Sequence, residues 1–181
     1  MPDTASTILL NHDAVGDAIA RMADEIAEGG GGPQRLALVG IRTRGVPLAR
    51  RLAKLIVART GTDVPVGTLD ITLYRDDLTA IGSQPLVRAT ELPFPIDGRR
   101  IVLVDDVLFT GRTVRAAIDQ LIDYGRPERI ELVVLVDRGG RELPIQADYV
   151  GKRVSTSKTQ TVSVRLEEED GRDEVILVEE G

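Results

Sequence analysis

The sequence predicts an α/β protein built on a parallel sheet with helices packed against it. Three apolar runs typical of buried strands begin at residues 35, 99 and 129. A glycine-containing loop follows each run directly, at 40–45, 109–113 and 137–140. Strands and helices alternate as far as residue 137, which favours parallel strands. Because the carboxyl ends of parallel strands share one edge of a sheet, we expect the three loops to converge there.

The helices are predicted from apolar residues that recur at helical spacing. The first helix, over 12–28, has one apolar face, formed by Val15, Ile19, Met22 and Ile26. Asn11 or Asp13 is expected to cap it, and its apolar face is expected to join the core. A second helix over 46–60 follows the first glycine loop, and a third spans 110–125.

The other segments predict strands and one long loop. Leu69, Ile71 and Leu73 alternate within 65–77, which indicates a strand. Residues 75–99 are rich in Pro, Gly and polar groups and are interpreted as a long loop, a type of segment that often serves as a lid. The segments "DYVGKRV", "QTVSVRL" and "DEVILVEE" are expected to be strands without intervening helices.

Composition excludes several classes of function. The 181 residues are 42% hydrophobic and 29% charged, as in one soluble domain. The chain has no Cys and one His, His12, which excludes disulfides, cysteine nucleophiles and histidine-cluster zinc sites. No apolar stretch suits a membrane helix and no signal peptide is evident, so we expect a cytoplasmic protein without a membrane partner. The net charge of −6 resides mainly in residues 167–181 and disfavours general nucleic-acid binding.

The stretch "VLVDDVLFTGRT" at 102–113 carries the clearest chemistry. A glycine turn with hydroxyls that opens a helix suits a terminal phosphate, and Thr110, Gly111 and Thr113 supply it. The spacing matches neither a P-loop nor a dinucleotide-binding fingerprint. Asp105 and Asp106 end the preceding strand, where acids accept hydrogen bonds from ribose hydroxyls. The pattern predicts a ribose 5-phosphate site; alternatively, the acids only cap the next helix and Gly111 only forms a turn.

The string "IVLVDDVLFTGRT" resembles the signature of type I phosphoribosyltransferases, which bind 5-phosphoribosyl 1-diphosphate (PRPP). Four further strings resemble the branch of this family that unites uracil phosphoribosyltransferase activity with regulation of the pyrimidine operon. They are "LVGIRTRGVPLARRL", "DITLYRDDL", "VLVDRGGRELPIQADYVGK" and "TSK". The resemblance runs from about Ile8 to the end. It implies a parallel sheet with flanking helices, a flexible loop and a small hood subdomain, in one domain over 1–181 to which 137–181 contributes the hood and C-terminal strands.

The resemblance also implies roles for individual residues. Asp105 and Asp106 hold the ribose, and the 5-phosphate is cradled by Thr110, Gly111, Arg112 and Thr113. The loop Ile41–Gly45 binds diphosphate, with contributions from Arg42, Thr43, Arg44 and Gly45. Residues with catalytic roles are Asp105, Asp106, Arg42 and Arg75, and the base is read largely by backbone groups of Val136, Asp137 and Arg138.

Several of these residues also have an alternative interpretation without a role in binding or catalysis. Arg42 and Arg44 are alternatively solvated surface arginines. Tyr74 and Arg75, expected to reach the site when the long loop closes, are alternatively parts of an exposed loop tip. Arg138 or Arg141 alternatively only lines the surface.

The implied reaction converts uracil and PRPP to UMP and diphosphate, with Mg²⁺ carried by PRPP and no dedicated metal site. The implied partners also include UMP or UTP as effectors, pyrimidine-operon leader mRNA and a second copy of the chain, as a homodimer or higher homo-oligomer. The RNA-binding candidates are Arg21, Arg141, Lys152 and Arg153. Asp24, Gly140 and Gln146 stand where family members tend to carry basic or histidine residues. An enzyme without RNA regulation, acting on uracil or on purines, is therefore the alternative.

Overall fold

The computed structural model describes residues 5–72, 74 and 90–181. In chain order its elements are β1 (Ser6–Leu10), α1 (His12–Glu28), β2 (Leu36–Ile41), α2 (Gly45–Thr60), β3 (Val66–Leu69), β4 (Arg100–Leu108), α3 (Arg112–Tyr124), β5 (Arg129–Asp137), β6 (Tyr149–Arg153), β7 (Gln160–Arg165), α4 (Glu167–Asp170) and β8 (Glu174–Glu179). None of the described helices is long and apolar enough to cross a membrane.

A five-stranded sheet in the order β3-β2-β4-β5-β6 forms the centre of the molecule. Every neighbouring pair in it is parallel, as predicted. A second sheet, in the order β1-β8-β7, is antiparallel. The fold class predicted from the sequence, α/β with a parallel sheet and flanking helices, is confirmed.

Helices cover both faces of the parallel sheet because side chains alternate along each strand. On one face, apolar residues of α1 and α2 pack on Leu36, Leu38, Val102, Val104 and Leu135. On the other face, α3 packs on the intervening positions of the same strands. The predicted core face of α1 is buried: Val15, Ile19, Met22 and Ile26 are at most 3% exposed. Of the two predicted caps, Asn11 caps α1 and accepts a hydrogen bond from Ala14 N.

Three strand predictions differ from the structure. β3 ends at Leu69 rather than at residue 77, because the carboxylate of Asp70 accepts hydrogen bonds from Thr72 and forms a turn. β4 continues beyond residue 106 to Leu108, so Asp105 and Asp106 lie inside the strand. The short helix α4 separates β7 from β8, so the expectation of C-terminal strands without intervening helices is wrong for that pair, whereas β6 follows β5 without a helix, as expected, and pairs with it.

The antiparallel sheet and the long loop are the remaining parts of the fold. β1 was not predicted from the sequence, and it pairs with β8 near the other end of the chain. β7 and β8, predicted as C-terminal strands, form the antiparallel sheet with it. Of the predicted long loop 75–99, residues 75–89 lie outside the described part of the chain, and Glu91 bridges to Thr68 of β3.

Candidate functional site

The three glycine loops lie at the carboxyl ends of β2, β4 and β5, as the parallel topology requires. β4 and β5 remain paired as far as Leu108 and Asp137. One residue later, Arg138 N donates to Leu108 O at 3.1 Å. The loop after β5 therefore lies beside the glycine turn that follows β4, and the candidate site forms at this edge of the sheet.

The glycine turn after β4 encloses a cavity of about 310 Å³. Its lining comes from Val107–Gly111, Thr113 and Val114. Gly111 is the N-cap of α3 and has a φ of 93°, a conformation that favours glycine. The first amide groups of a helix have no partner within the helix, so the turn presents N–H donors and threonine hydroxyls to the cavity. This environment suits an anion.

The adjacent carboxylates of Asp105 and Asp106 lie on β4 just before this turn. Asp105 is 7% exposed and Asp106 is half-buried. Asp105 Oδ1 accepts from Asp106 N at 2.9 Å, and Asp106 Oδ1 accepts from Val107 N at 2.9 Å. These backbone bonds orient both carboxylates along the strand. The N-cap of α3 is Gly111, which gives no support to the alternative that the two acids only cap that helix.

The loop after β2 is held tightly against β4. A Cβ atom at Gly45, the first residue of α2, would stand 2.2 Å from Val104 O. In the same loop, Arg42 N donates to Leu69 O at 2.9 Å, Arg42 Nη2 lies 3.3 Å from Thr68 Oγ1, and the Arg42–Thr43 peptide bond is cis. The start of α2 therefore lies directly beside the strand that carries the two acids.

Arg44 forms a two-pronged ion pair with Asp170 of α4. Arg44 Nε lies 3.1 Å from Asp170 Oδ2, and Arg44 Nη2 lies 2.7 Å from Asp170 Oδ1. The hydrogen bond from Arg44 keeps the pKa of Asp170 below its ordinary value, and Asp170, with a smaller contribution from Asp106, raises the pKa of Arg44. Arg44 is thus half-buried and held by an acidic residue from near the C-terminus.

The other predicted phosphate-binding arginine, Arg112, pairs with Glu142 of the loop after β5. Arg112 Nε donates to Glu142 Oε1 at 2.9 Å, and Arg112 N donates to Thr110 Oγ1 at 3.2 Å. Gly111 itself packs against the loop after β5, where a Cβ atom would meet Ile145 at 3.3 Å. Both the backbone N–H and the Nε–H of Arg112 are therefore engaged within the turn and the loop after β5.

The predicted base-binding segment is already well hydrogen-bonded. Val136 is fully buried. Asp137 O accepts from Val154 N at 2.9 Å, and Arg138 O accepts from Thr156 Oγ1 at 3.1 Å. Burial favours the neutral form of Asp137, but hydrogen bonds from Arg141 and from Gly139 N keep its pKa below the ordinary value. Since a carbonyl oxygen accepts two hydrogen bonds, the carbonyls of Asp137 and Arg138 retain acceptor capacity.

The side chain of Arg138 is buried, which contradicts the alternative that it lines the surface. It is 7% exposed, donates to Thr156 Oγ1 and Gln160 O, and stacks 3.8 Å from the centre of the Phe109 ring. Burial lowers the pKa of Arg138. Sequence reasoning missed Phe109, although an aromatic residue within the phosphate motif was a visible signal.

Among the RNA-binding candidates, three lie together and one is engaged elsewhere. Arg21 Nη2 donates to Gly151 O at 2.6 Å and Nη1 donates to Glu25 Oε1 at 2.9 Å, so its guanidinium lies against the edge strand β6, which also carries Lys152 and Arg153. Arg141 donates to Ile145 O, Phe109 O and Asp137 Oδ2, so it organises the loop after β5.

The three departures from the family pattern have distinct surroundings. Asp24 pairs with Arg59 at 2.5 Å. Gly140 has a φ of 81° and lies against Phe109. Gln146 lines a shallow pocket beside Asp148.

Two further predictions concern the long loop and a metal. Arg75 lies outside the described residues. Tyr74 is described and 38% exposed, and a hydrogen bond with Asp123 of α3 raises its pKa. Within residues 5–72, 74 and 90–181, no group of three or more His, Cys, Asp or Glu side chains is arranged to hold a metal ion.

Comparison with known proteins identifies the family to which the chain is similar. Residues 5–169 match the phosphoribosyl transferase domain. The bifunctional protein PyrR of Thermus thermophilus is 60% identical over 171 residues, which cover 94% of each chain. The bifunctional protein PyrR of Chloroflexus aurantiacus is 59% identical over 94% of this chain and 93% of the relative.

Solved structures with the same fold include hypoxanthine phosphoribosyltransferases. One from Trypanosoma cruzi superposes with a TM-score of 0.72 at 23% identity, covering 97% of this chain and 95% of the other. One from Staphylococcus aureus has a TM-score of 0.68 at 20% identity, covering 94% and 90%. At such identities the likeness establishes the fold.

Proposed function

The chain belongs to the phosphoribosyl transferase family and, within it, to the bifunctional PyrR proteins, and from this premise we propose that it converts uracil and PRPP to UMP and diphosphate and also binds pyrimidine-operon leader mRNA. The observation that carries the enzymatic proposal is the arrangement of Asp105 and Asp106 on β4, directly before the cavity at the helix-opening turn. One continuous segment thereby offers carboxylates for a ribose and N–H donors for its phosphate.

The ribose 5-phosphate binds along this segment. The 5-phosphate occupies the cavity, where it accepts hydrogen bonds from the first amides of α3 and from Thr110 and Thr113. The 2- and 3-hydroxyls of the ribose donate to Asp105 and Asp106. The two carboxylates therefore bind the ribose, and the positive end of the α3 dipole stabilises the 5-phosphate.

The diphosphate binds on the loop before α2. Arg42 and Arg44 supply positive charge, and the loop backbone from Thr43 to Gly45 supplies N–H donors at the start of a 16-residue helix. Mg²⁺ that arrives with PRPP neutralises charge on the diphosphate oxygens. Mg²⁺ keeps water and substrate oxygens as ligands, so it requires few protein groups.

The reaction breaks the bond between the anomeric carbon and a diphosphate oxygen and forms one to N1 of uracil, and the N1 proton leaves with the departing diphosphate or to water. Positive charge develops on the ribose in an oxocarbenium-like transition state. The carboxylates of Asp105 and Asp106, fixed by backbone N–H groups, stabilise that charge without needing to reorganise. Catalysis thus rests on positioning and charge, with no covalent nucleophile.

Uracil lies at the carboxyl end of β5. The carbonyl oxygens of Asp137 and Arg138 retain capacity to accept the N3–H of uracil. Asp137 remains ionised because Arg141 and Gly139 hold its carboxylate, so it acts as an acceptor only. A base that presents an N–H donor toward this strand is therefore favoured.

Support for RNA binding comes from the basic edge formed by Arg21, Lys152 and Arg153 on and beside β6. Binding to leader RNA is tested with and without UMP at two salt concentrations, using scrambled RNA as the control. The proposal expects tight binding that UMP strengthens and salt weakens. If wild-type protein converts uracil and PRPP but binds leader RNA no better than scrambled RNA, the enzyme-only alternative replaces the regulatory function.

A further inference from the structure

The C-terminal acidic segment reaches back to the proposed diphosphate loop. Asp170, the last residue of α4, receives both the Nε and Nη2 donors of Arg44, 126 residues earlier in the chain. Arg44 is the N-cap of α2 and immediately precedes Gly45. The carboxylate of Asp170 therefore fixes a guanidinium at the point where the loop meets the helix.

Asp170 is itself held rigidly. Its Oδ2 accepts from Leu166 N at 2.8 Å, and its backbone N donates to Leu166 O at 2.6 Å. Leu166 is fully buried in the core. A second contact docks the same segment, since Glu168 and Asp173 both bind Arg51 of α2. Of these three acids, Asp170 is the one whose hydrogen bonds reach the loop.

The bidentate ion pair with Asp170 leaves some N–H donors of the Arg44 guanidinium available to a ligand. It uses two N–H donors of Arg44, and a guanidinium carries further donors on the same plane. Without Asp170, both of these hydrogen bonds are lost and the guanidinium is no longer held at the start of α2.

We propose that Asp170 is a positioning residue for phosphoribosyl transfer, which holds Arg44 at the diphosphate of PRPP. The inference rests on the proposed enzymatic function and adds a residue from outside the signature motif. Asp170 does not touch the substrate. It acts through Arg44, so its effect is confined to PRPP and to diphosphate.

A double-mutant cycle tests this role. Asp170→Ala, Arg44→Ala and the double variant are compared by the KM for PRPP, by kcat, and by calorimetric binding of PRPP with Mg²⁺. Because Asp170→Ala loses the bidentate ion pair with Arg44, we expect its KM for PRPP to be about tenfold higher than that of wild type. Its kcat and its KM for uracil are expected to stay close to wild type. In the Arg44→Ala background, removal of Asp170 has no further effect on PRPP. Asp170→Glu, which retains a carboxylate, restores part of the affinity.

Glu168→Ala is the matched control, because Glu168 lies in the same helix and binds Arg51 instead of Arg44. Its KM for PRPP is expected to equal that of wild type. Additive effects of Asp170→Ala and Arg44→Ala would overturn the inference, as would an unchanged or lower KM in Asp170→Ala. Those outcomes leave the proposed function standing, whereas a wild-type protein that neither binds nor converts PRPP overturns both.

Discussion

Gly45 lies directly on the backbone of Val104. A Cβ atom added at Gly45 would stand 2.2 Å from Val104 O and 3.5 Å from the Cα of Asp105. This contact seats the first turn of α2 against the strand that carries the acidic pair. The distance between the proposed diphosphate loop and the proposed ribose acids is thus set by the absence of a side chain at one position.

Replacing Gly45 by Ala is expected to destabilise the fold and to impair PRPP binding. The new methyl group meets backbone, which cannot rotate away, so we expect a loss of about 1–3 kcal/mol in the free energy of unfolding. Denaturant unfolding and the KM for PRPP measure the two effects. Gly16→Ala in α1 is the control: a Cβ there meets nothing within 4 Å, and Ala in a helix should leave stability equal or higher. Equal stability of the two variants would contradict the close contact.

Asp106→Asn is expected to lower kcat/KM for PRPP by roughly 10- to 100-fold, because a charged acceptor for a ribose hydroxyl becomes neutral. The amide oxygen still accepts from Val107 N, so the fold should be retained. Steady-state kinetics with uracil in excess measures the effect. Asp119→Asn, on the exposed face of α3, is the matched control. An unchanged kcat/KM in Asp106→Asn would remove the acidic pair from the proposed site.

Stability is expected to fall in acid partly because of Asp173. Arg51 holds the Asp173 carboxylate at 2.8 and 2.9 Å and keeps its pKa below the ordinary value of 3.8. A depressed pKa in the folded state contributes stability above the unfolded pKa, and that contribution is lost as pH falls through the folded pKa. Asp173→Asn should therefore cost about 1–2 kcal/mol near neutral pH and less at about pH 3. Urea unfolding over a pH series measures this difference; a cost that stays constant with pH would contradict it.

A side chain at position 140 is expected to disturb the Phe109–Arg138 stack. A Cβ atom at Gly140 would stand 2.5 Å from the Phe109 ring, and the φ of 81° already disfavours other residues. Gly140→Ala should therefore cost more stability than Gly139→Ala, by about 1 kcal/mol or more. Gly139 has a similar φ of 72° with nothing within 4 Å of its Cβ position. The difference between the free energies of unfolding of the two variants thus measures the contact with the Phe109 ring, because both variants carry the same penalty for a positive φ.

The central α/β pattern was predictable because its signals are local. Buried parallel strands produce continuous apolar runs, and the glycine loops behind them mark the carboxyl edge of the sheet. The convergence of 40–45, 109–113 and 137–140 follows from parallel pairing alone. The phosphate turn was equally visible, since glycine and hydroxyl residues that open a helix are contiguous in sequence.

Contacts between distant segments could not be predicted. The Asp170–Arg44 pair joins residues 126 apart, and no short pattern connects an acidic tail to a basic loop. The same holds for the buried pair of Arg100 and Glu131, which lies at the opposite edge of the sheet. β1 escaped prediction because its five residues are largely exposed and gain their hydrogen bonds from β8.

The most direct test of the central claim is product analysis after incubation of the purified protein with PRPP, Mg²⁺ and either uracil, hypoxanthine or guanine. UMP and diphosphate are expected in equal amounts with uracil, and little or no nucleotide with either purine. Transfer to a purine in preference to uracil would contradict the assigned base, and no transfer to any base would contradict the enzymatic function itself.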